Sequence, residues 1–432
     1  MRRWSAALIV GALLIAGADA RRPSPSHGGA NRPEPHWIAS WGSAQLNSTG
    51  ENALPMDRAG AITLRQIVRL SVGGDSVRVR ISNAFGTQPL AIGAAHIAHA
   101  LKPGTPQTDG GATVTFAGRG DAVIPAGAEI YSDPVTLAVG SGADLAVSIY
   151  LPAAATPQTG HPGARATSFT LPGAHVSDPI LSGALPTTHW YALADIEVAG
   201  IAGARSGAVA KPGTIVAIGD SITDGYGVLP EHNSRWPDIL AERLRALPAT
   251  RALGVVNTGI GGNRVLLDGT GPNLLARFDR DVIARSGVRW AIVLEGVNDI
   301  GVLTRDAPAT PERHAALVAQ VTAAYTQLVA RAHAHGIKVI GGTVMPFGGN
   351  DYYHPSAANE ADRQAVNTFI RTAGVFDDVI DFDRLMRDPA HSDRLLPAYD
   401  SGDHLHPSEA GYRVMGQAVP LTLFADKGRS DP

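Results

Sequence analysis

Thr214-Ile215-Val216-Ala217-Ile218-Gly219-Asp220-Ser221-Ile222-Thr223 is a short apolar run that breaks into a glycine, an acid and a hydroxyl. A continuous run of this length, rich in β-branched residues, reads as a strand buried on both faces, and the break places Asp220 and Ser221 just past its carboxyl end. Similar strands are expected at 254–257, 290–294, 338–343 and 379–382. Between them lie helical stretches at 237–247, 313–335 and 359–372, the first opened by Pro237, where a missing N–H costs nothing. Strands alternating with helices predict a parallel sheet covered on both faces, a three-layer α/β region over 201–426.

Upstream, the period changes to two. Val77, Val79 and Ile81 alternate with Ser76, Arg78 and Arg80, and Leu145, Val147 and Ile149 alternate with small or polar residues. Half-buried strands follow, with others at 113–116, 130–139 and 190–198 separated by Gly, Pro and Asp turns and no convincing helix. Residues 37–200 are therefore expected to form an all-β sandwich domain, joined to the α/β region by small residues around 199–213. Two domains also suit the length, since 432 residues exceed one ordinary core.

The amino terminus has Arg2 and Arg3, an apolar run from Ala6 to Ala16, and Ala18-Asp19-Ala20. That order predicts a signal peptide over 1–20, followed by a flexible leader over 21–36, and hence export to the periplasm or beyond with no membrane insertion after cleavage. The chain contains no cysteine, which excludes disulfides, thiolate metal sites and a Cys nucleophile. A net charge of −3 gives no reason to expect nucleic acid as a partner.

In such a sheet the chemistry lies beyond the carboxyl ends of the strands. Three segments fall there: Gly219-Asp220-Ser221, Gly261-Gly262-Asn263 and Val297-Asn298-Asp299; a fourth, Asp403-His404-Leu405-His406-Pro407, precedes the last helix. A serine hydroxyl needs a base to take its proton, and His406 is the candidate. Asp403, three residues earlier, can curl back to orient the ring, the more so if Pro407 begins the last helix. An acyl-transfer intermediate also needs donors for its oxyanion, which the N–H groups of Ser221 and Gly262 and the amide of Asn298 can supply.

These four blocks, in this order and at these ends of the predicted elements, resemble the SGNH (GDSL-like) hydrolases through the second half of the chain. Ile222 stands where the GDSL pattern has Leu. The resemblance implies a flavodoxin-like α/β fold and carries the nucleophile, the two oxyanion donors and the base onto Ser221, Gly262, Asn298 and His406. The β-rich half, with Trp37-Ile-Ala-Ser-Trp41 and Asn83-Ala-Phe-Gly, is similar to the amino-terminal part of large bacterial members of the group. What this implies is a serine esterase without cofactor or metal, acting on small-molecule or polysaccharide esters, with short acyl groups on carbohydrates or aryl alcohols foremost.

Blander readings stand beside these. Ser221 could cap the helix after the first strand, Gly261 and Gly262 could form a simple tight turn, and Asn298 with Asp299 could make an Asx turn. Asp299 is expected to be structural. His404 could join Asp403 and His406 at a metal, although further ligands at zinc spacing are missing, and His333 and His335 suit a solvated helix end. Tyr352, Tyr353 and His354 could line a substrate pocket or only pack their loop. At the level of function, an acyltransferase sharing the acyl-enzyme and a carbohydrate-binding protein with a vestigial hydrolase domain are the alternatives.

Overall fold

Each apolar run downstream of residue 213 forms a strand in the computed structural model, which describes residues 35–54, 60–153, 158–202 and 211–424. The signal-peptide reading of residues 1–20 and most of the 21–36 leader lie outside these. The strands are Gly213–Gly219, Leu253–Gly259, Val288–Leu294, Lys338–Gly342 and Asp378–Ile380. All pair in parallel, in the order second, first, third, fourth, fifth. Ile215, Val216, Ala217 and Ile218 have no exposed surface, so the run is apolar throughout because both faces are covered.

The helices between are α1 (Ser221–Asp224), α2 (Trp236–Arg245), α3 (Leu274–Phe278), α4 (Val297–Arg305), α5 (Pro311–Ala334), α6 (Ala357–Thr372), α7 (Phe382–Met386) and α8 (Glu409–Ala418). Local chemistry sets several starts. Thr310 caps α5 ahead of Pro311, and Ser356 with Asn359 forms a capping box on α6. Three details differ from the sequence reading. The fifth strand stops at Ile380 because Asp381 caps α7, which takes Phe382. Residues 297–299 are the first turn of α4. Pro407 does not begin α8: Ser408 caps it, and Pro407 sits in a bridge with Asp400.

The preceding region is built from antiparallel sheets. One joins Ile38–Gly42, Leu193–Ala199, Gly74–Ser82, Val135–Val139 and Glu129–Tyr131; a second contains Leu185–Thr187, Ser168–Pro172, Ile62–Arg69, Asp144–Leu151, Ala94–His99 and Ala112–Val114; two smaller ones join Trp190–Tyr191, Gln158–His161 and Leu46–Ser48, and Leu90–Ile92 with Ala122–Ile124. Val77, Val79 and Ile81 from the first share one apolar core with Leu64, Val68, Leu145, Val147 and Ile149 from the second, which makes the region a sandwich.

The expectation that one face of these strands meets water fails on the first sheet. Arg80 is 4% exposed, and Asp195 and Glu197 on the neighbouring strand are fully buried. This polar face is covered by the turn of chain after α3. Arg285 pairs with Asp195, which also pairs with Arg80; Arg78 reaches Glu197 at 2.6 Å and Ser286 at 3.3 Å. The strand Ile38–Gly42 docks on the same side, where the Ala39 N–H donates to Ser286 O at 3.1 Å and to Thr214 Oγ1 at 3.0 Å. Gly254 is needed for this approach, because a Cβ there would lie 2.2 Å from the carbonyl oxygen of Ala39.

Removing one partner of a buried ion pair leaves the other charge stranded, which costs about 3–5 kcal/mol. Asp195 keeps Arg80 as a partner, so Arg285→Met is expected to lower stability by up to that amount. A urea titration of the wild-type and variant chains measures it, and a loss under about 1 kcal/mol would show that Asp195 does not depend on Arg285.

Candidate active site

Strand order places the site. The first strand lies between the second and third, so the chain leaves its carboxyl end at the switch point where a crevice opens. Asp220, rather than Ser221, caps α1, accepting the Ile222 N–H at 2.9 Å, and Ser221 occupies the first helical position. Ser221 Oγ lies 2.8 Å from His406 Nε2, and His406 Nδ1 lies 2.6 Å from Asp403 Oδ2. Asp403 Oδ1 also accepts the backbone N–H groups of Leu405 and His406, at 3.0 and 2.8 Å. The turn thus holds the acid beneath the ring, as the spacing predicts.

His404 goes elsewhere. Its backbone has a positive φ of 61°, and its Nδ1 lies 2.6 Å from Asp400 Oδ2. It does not join His406 at a shared ligand position. His333 pairs with Asp377 at 2.8 Å, on the far end of α5.

The second and third segments converge on each other. Asn298 is buried in the first turn of α4 and donates one amide hydrogen to Asn263 O at 2.7 Å, which leaves its second hydrogen for another acceptor. Its Oδ1 accepts the Tyr353 hydroxyl at 2.6 Å, so the orientation of the amide is set. Asp299 accepts the N–H groups of Val265 and Leu266 at 2.8 and 3.1 Å and so holds the same loop from the other side. Gly262 has φ 71°, a left-handed conformation that favours glycine and exposes its backbone. Ile260 N–H donates to Gly219 O at 3.0 Å, which ties this loop to the strand end two residues before Ser221.

Three supporting residues carry no period or motif that sequence reasoning could use. Arg277 of α3 has no exposed surface and donates to Gly219 O, Thr258 O and Asn263 Oδ1 at 2.9, 2.6 and 2.8 Å. Asn350 links two parts of the site, donating to Asp403 O at 2.8 Å and accepting from Tyr353 N at 2.9 Å. Tyr226, half exposed, lies over His406 with ring centroids 4.1 Å apart; the Arg165 guanidinium of the β region lies 5.6 Å from its ring. Of the tyrosines flagged in the sequence, Tyr353 supports Asn298, whereas Tyr352 is exposed and bonded to Arg305.

Burial opposes ionisation of Asp403, but the bonds from the His406 ring and from two backbone N–H groups outweigh it and hold the carboxyl well below the usual carboxylate range. Behind the nucleophile the balance reverses. Burial pushes Asp220 up to about 7, against its bond from Ile222 and with the charge of Asp299 adding to the shift. It pushes Asp299 to about 6 and raises Glu295 well above its ordinary value. The acid whose ionised form its surroundings favour is therefore the one beneath His406. An assembly of this kind can transfer a proton from a serine to a histidine whose far nitrogen faces a carboxylate.

A family profile described as GDSL-like Lipase/Acylhydrolase family matches residues 217–414, which span all four segments. This region belongs to the GDSL-like lipase/acylhydrolase family. Among solved structures, the chain is similar to an acetylxylan esterase from Geobacillus stearothermophilus, at 24% identity and TM-score 0.37, over 49% of this chain and 94% of that one. A lipolytic protein of the G-D-S-L family from Desulfitobacterium hafniense aligns at 23% identity and TM-score 0.35, over 48% of this chain and 96% of the other. An acylhydrolase from Bacteroides fragilis gives 23% and 0.36 over 49% and 86%. A comparison with curated proteins gives no match.

If Asn298 donates to an oxyanion, Asn298→Ala should lower kcat by about 10²–10³ with little change in KM, and Tyr353→Phe should cause a smaller loss of the same kind. Steady-state kinetics on an activated ester separate this from a pure KM effect, which would make Asn298 a ground-state binding group. His406→Ala should cost about as much as Ser221→Ala, Asp403→Asn less, and His404→Ala least. The same assay decides the order, and a His404 variant as inactive as the Ser221 one would overturn it.

Proposed function

We propose that this chain is a serine esterase that cleaves carboxylic esters through an acyl intermediate on Ser221. The observation that carries the reading is the chain of hydrogen bonds from Ser221 Oγ through His406 to Asp403, at 2.8 and 2.6 Å. Ser221 Oγ adds to the ester carbonyl carbon while its proton passes to His406 Nε2. The new imidazolium is stabilised through Nδ1 by ionised Asp403. The carbonyl oxygen becomes an oxyanion, for which the free hydrogen of Asn298 and the N–H groups of Gly262 and Ser221 are the proposed donors. Collapse expels the alcohol, which takes the proton from His406. Water then repeats the sequence on the acyl-serine, releasing the acid and restoring the hydroxyl of Ser221.

Every part of this cycle is supplied by side chains and backbone. The preferred substrates in this reading are esters of short acyl groups, acetyl first, on carbohydrates or aryl alcohols. That choice is supported by the sequence resemblance. The positive, apolar and small-residue order of residues 1–20 supports export, and the change of period near residue 200 supports treating 37–200 and 201–426 as two domains. Among the described residues no helix is long and apolar enough to cross a membrane.

A fluorophosphonate probe should label wild-type chain at Ser221 and leave Ser221→Ala unlabelled. On a panel of acetyl, butyryl and feruloyl esters of simple alcohols and polysaccharides, acetyl esters should be hydrolysed fastest. Ester turnover by Ser221→Ala near the wild-type rate would end the nucleophile assignment, and a preference for the long or aromatic acyl group would end the acetyl assignment.

A further inference from the structure

The one-turn helix that carries Ser221 is too short to be stable by itself, so its geometry must be set by what holds its ends. Its start is held from within the α/β region, by Asp220 on Ile222 N and by Arg277 on Gly219 O. Its end is held from outside. Asp224, the last residue of α1, presents its carboxylate Oδ1 to His161 Nε2 at 2.9 Å, and His161 belongs to the strand Gln158–His161 of the β sandwich. The other ring nitrogen, Nδ1, lies 2.8 Å from Ala44 O. A carbonyl only accepts, so Nδ1 carries a hydrogen, and Nε2 meets the carboxylate through one shared proton.

His161 is 2% exposed and stacks on Trp190, with centroids 5.7 Å apart at 28°, so the ring cannot swing away. A second link runs parallel to the first: Arg235 donates through Nε to Asp224 O at 2.8 Å and through Nη2 to Ala164 O at 2.5 Å. Asp224 also borders the loop of Gly262. A Cβ on Gly261 would lie 4.0 Å from Asp224 Oδ2, and one on Gly259 would strike Asp224 N at 2.3 Å. Whatever fixes Asp224 therefore fixes the nucleophile turn against the loop that faces Asn298.

We propose that His161 is a positioning residue for the reaction: by bridging Ala44 O and Asp224 it sets the seat of Ser221, and the β sandwich is through it a working part of the esterase. This rests on the esterase reading above. Displacement of a reacting atom by about 1 Å costs on the order of 10²-fold in rate, so the effect falls on kcat.

The test compares His161→Ala, His161→Gln and His161→Asn in the full chain, reading the rate of fluorophosphonate labelling of Ser221 together with kcat and KM on an acetyl ester. The Gln amide nitrogen can occupy the place of Nε2 and the Asn amide nitrogen that of Nδ1. His161→Ala should slow labelling and kcat by about 10²-fold with KM changed less than about threefold. His161→Gln should recover most of that loss, and His161→Asn should not. Should the Ala variant fail to fold, the Gln and Asn pair, which keep side-chain volume, carry the comparison. Ala labelled at the wild-type rate, or Gln and Asn behaving alike, overturns the role of His161 and leaves Ser221 as nucleophile. Wild-type chain that the probe does not label removes the esterase reading and this role with it.

Discussion

A guanidinium with no exposed surface has to find acceptors for its N–H groups inside the protein, and Arg277 finds them where the chemistry is. It holds the carbonyl ends of the first and second parallel strands, the side chain of Asn263 and the carboxylate of Asp281. Those acceptors face inward past the strand ends, where water cannot satisfy them. One buried charge thereby replaces solvent for several backbone groups at once and locks the nucleophile turn to the Gly262 loop. Asp281 is itself held anionic: burial opposes ionisation, and Arg280 and Arg277 overcome it.

The same strategy joins the two halves of the chain. The first sheet of the sandwich turns a row of charges toward the α/β region, and two of them meet partners across the contact, Asp195 with Arg285 and Arg78 with Ser286; nearby, Gln45 O accepts from Arg280 at 3.0 Å. Buried ion pairs are weak sources of stability but costly to break. A contact of this kind therefore favours one relative placement over nearby ones. A sliding apolar contact would not hold His161 against Asp224, or Arg165 over Tyr226, to within a fraction of an ångström.

The site divides its acids by environment. Asp403 gathers the His406 ring, the N–H groups of Leu405 and His406 and the Ser401 hydroxyl, and its ionised form is favoured, while Asp220, Glu295 and Asp299 sit behind the nucleophile where burial raises them. The negative charge that assists an imidazolium lies on one side of Ser221. Burial on the other side disfavours the charged forms, which lessens repulsion of a developing oxyanion.

Much of this was legible in the linear chain. Apolar runs and helical periods placed the five strands and the longer helices because periodicity is a local consequence of which face is buried. The turn that brings Asp403 to His406 is also local, closed within three residues by backbone N–H groups on one carboxylate oxygen. The order of the four polar segments, together with the alternation of strands and helices, located the crevice. Only the tertiary structure decided what surrounds them. Arg78 and Arg80 read as a solvated face because alternation shows that two faces differ but not whether a second element covers the polar one. His161 lies 63 residues from Asp224 and Tyr353 lies 55 from Asn298. Such partners are chosen by where separate segments meet in space, and a meeting between distant segments leaves no period in the sequence.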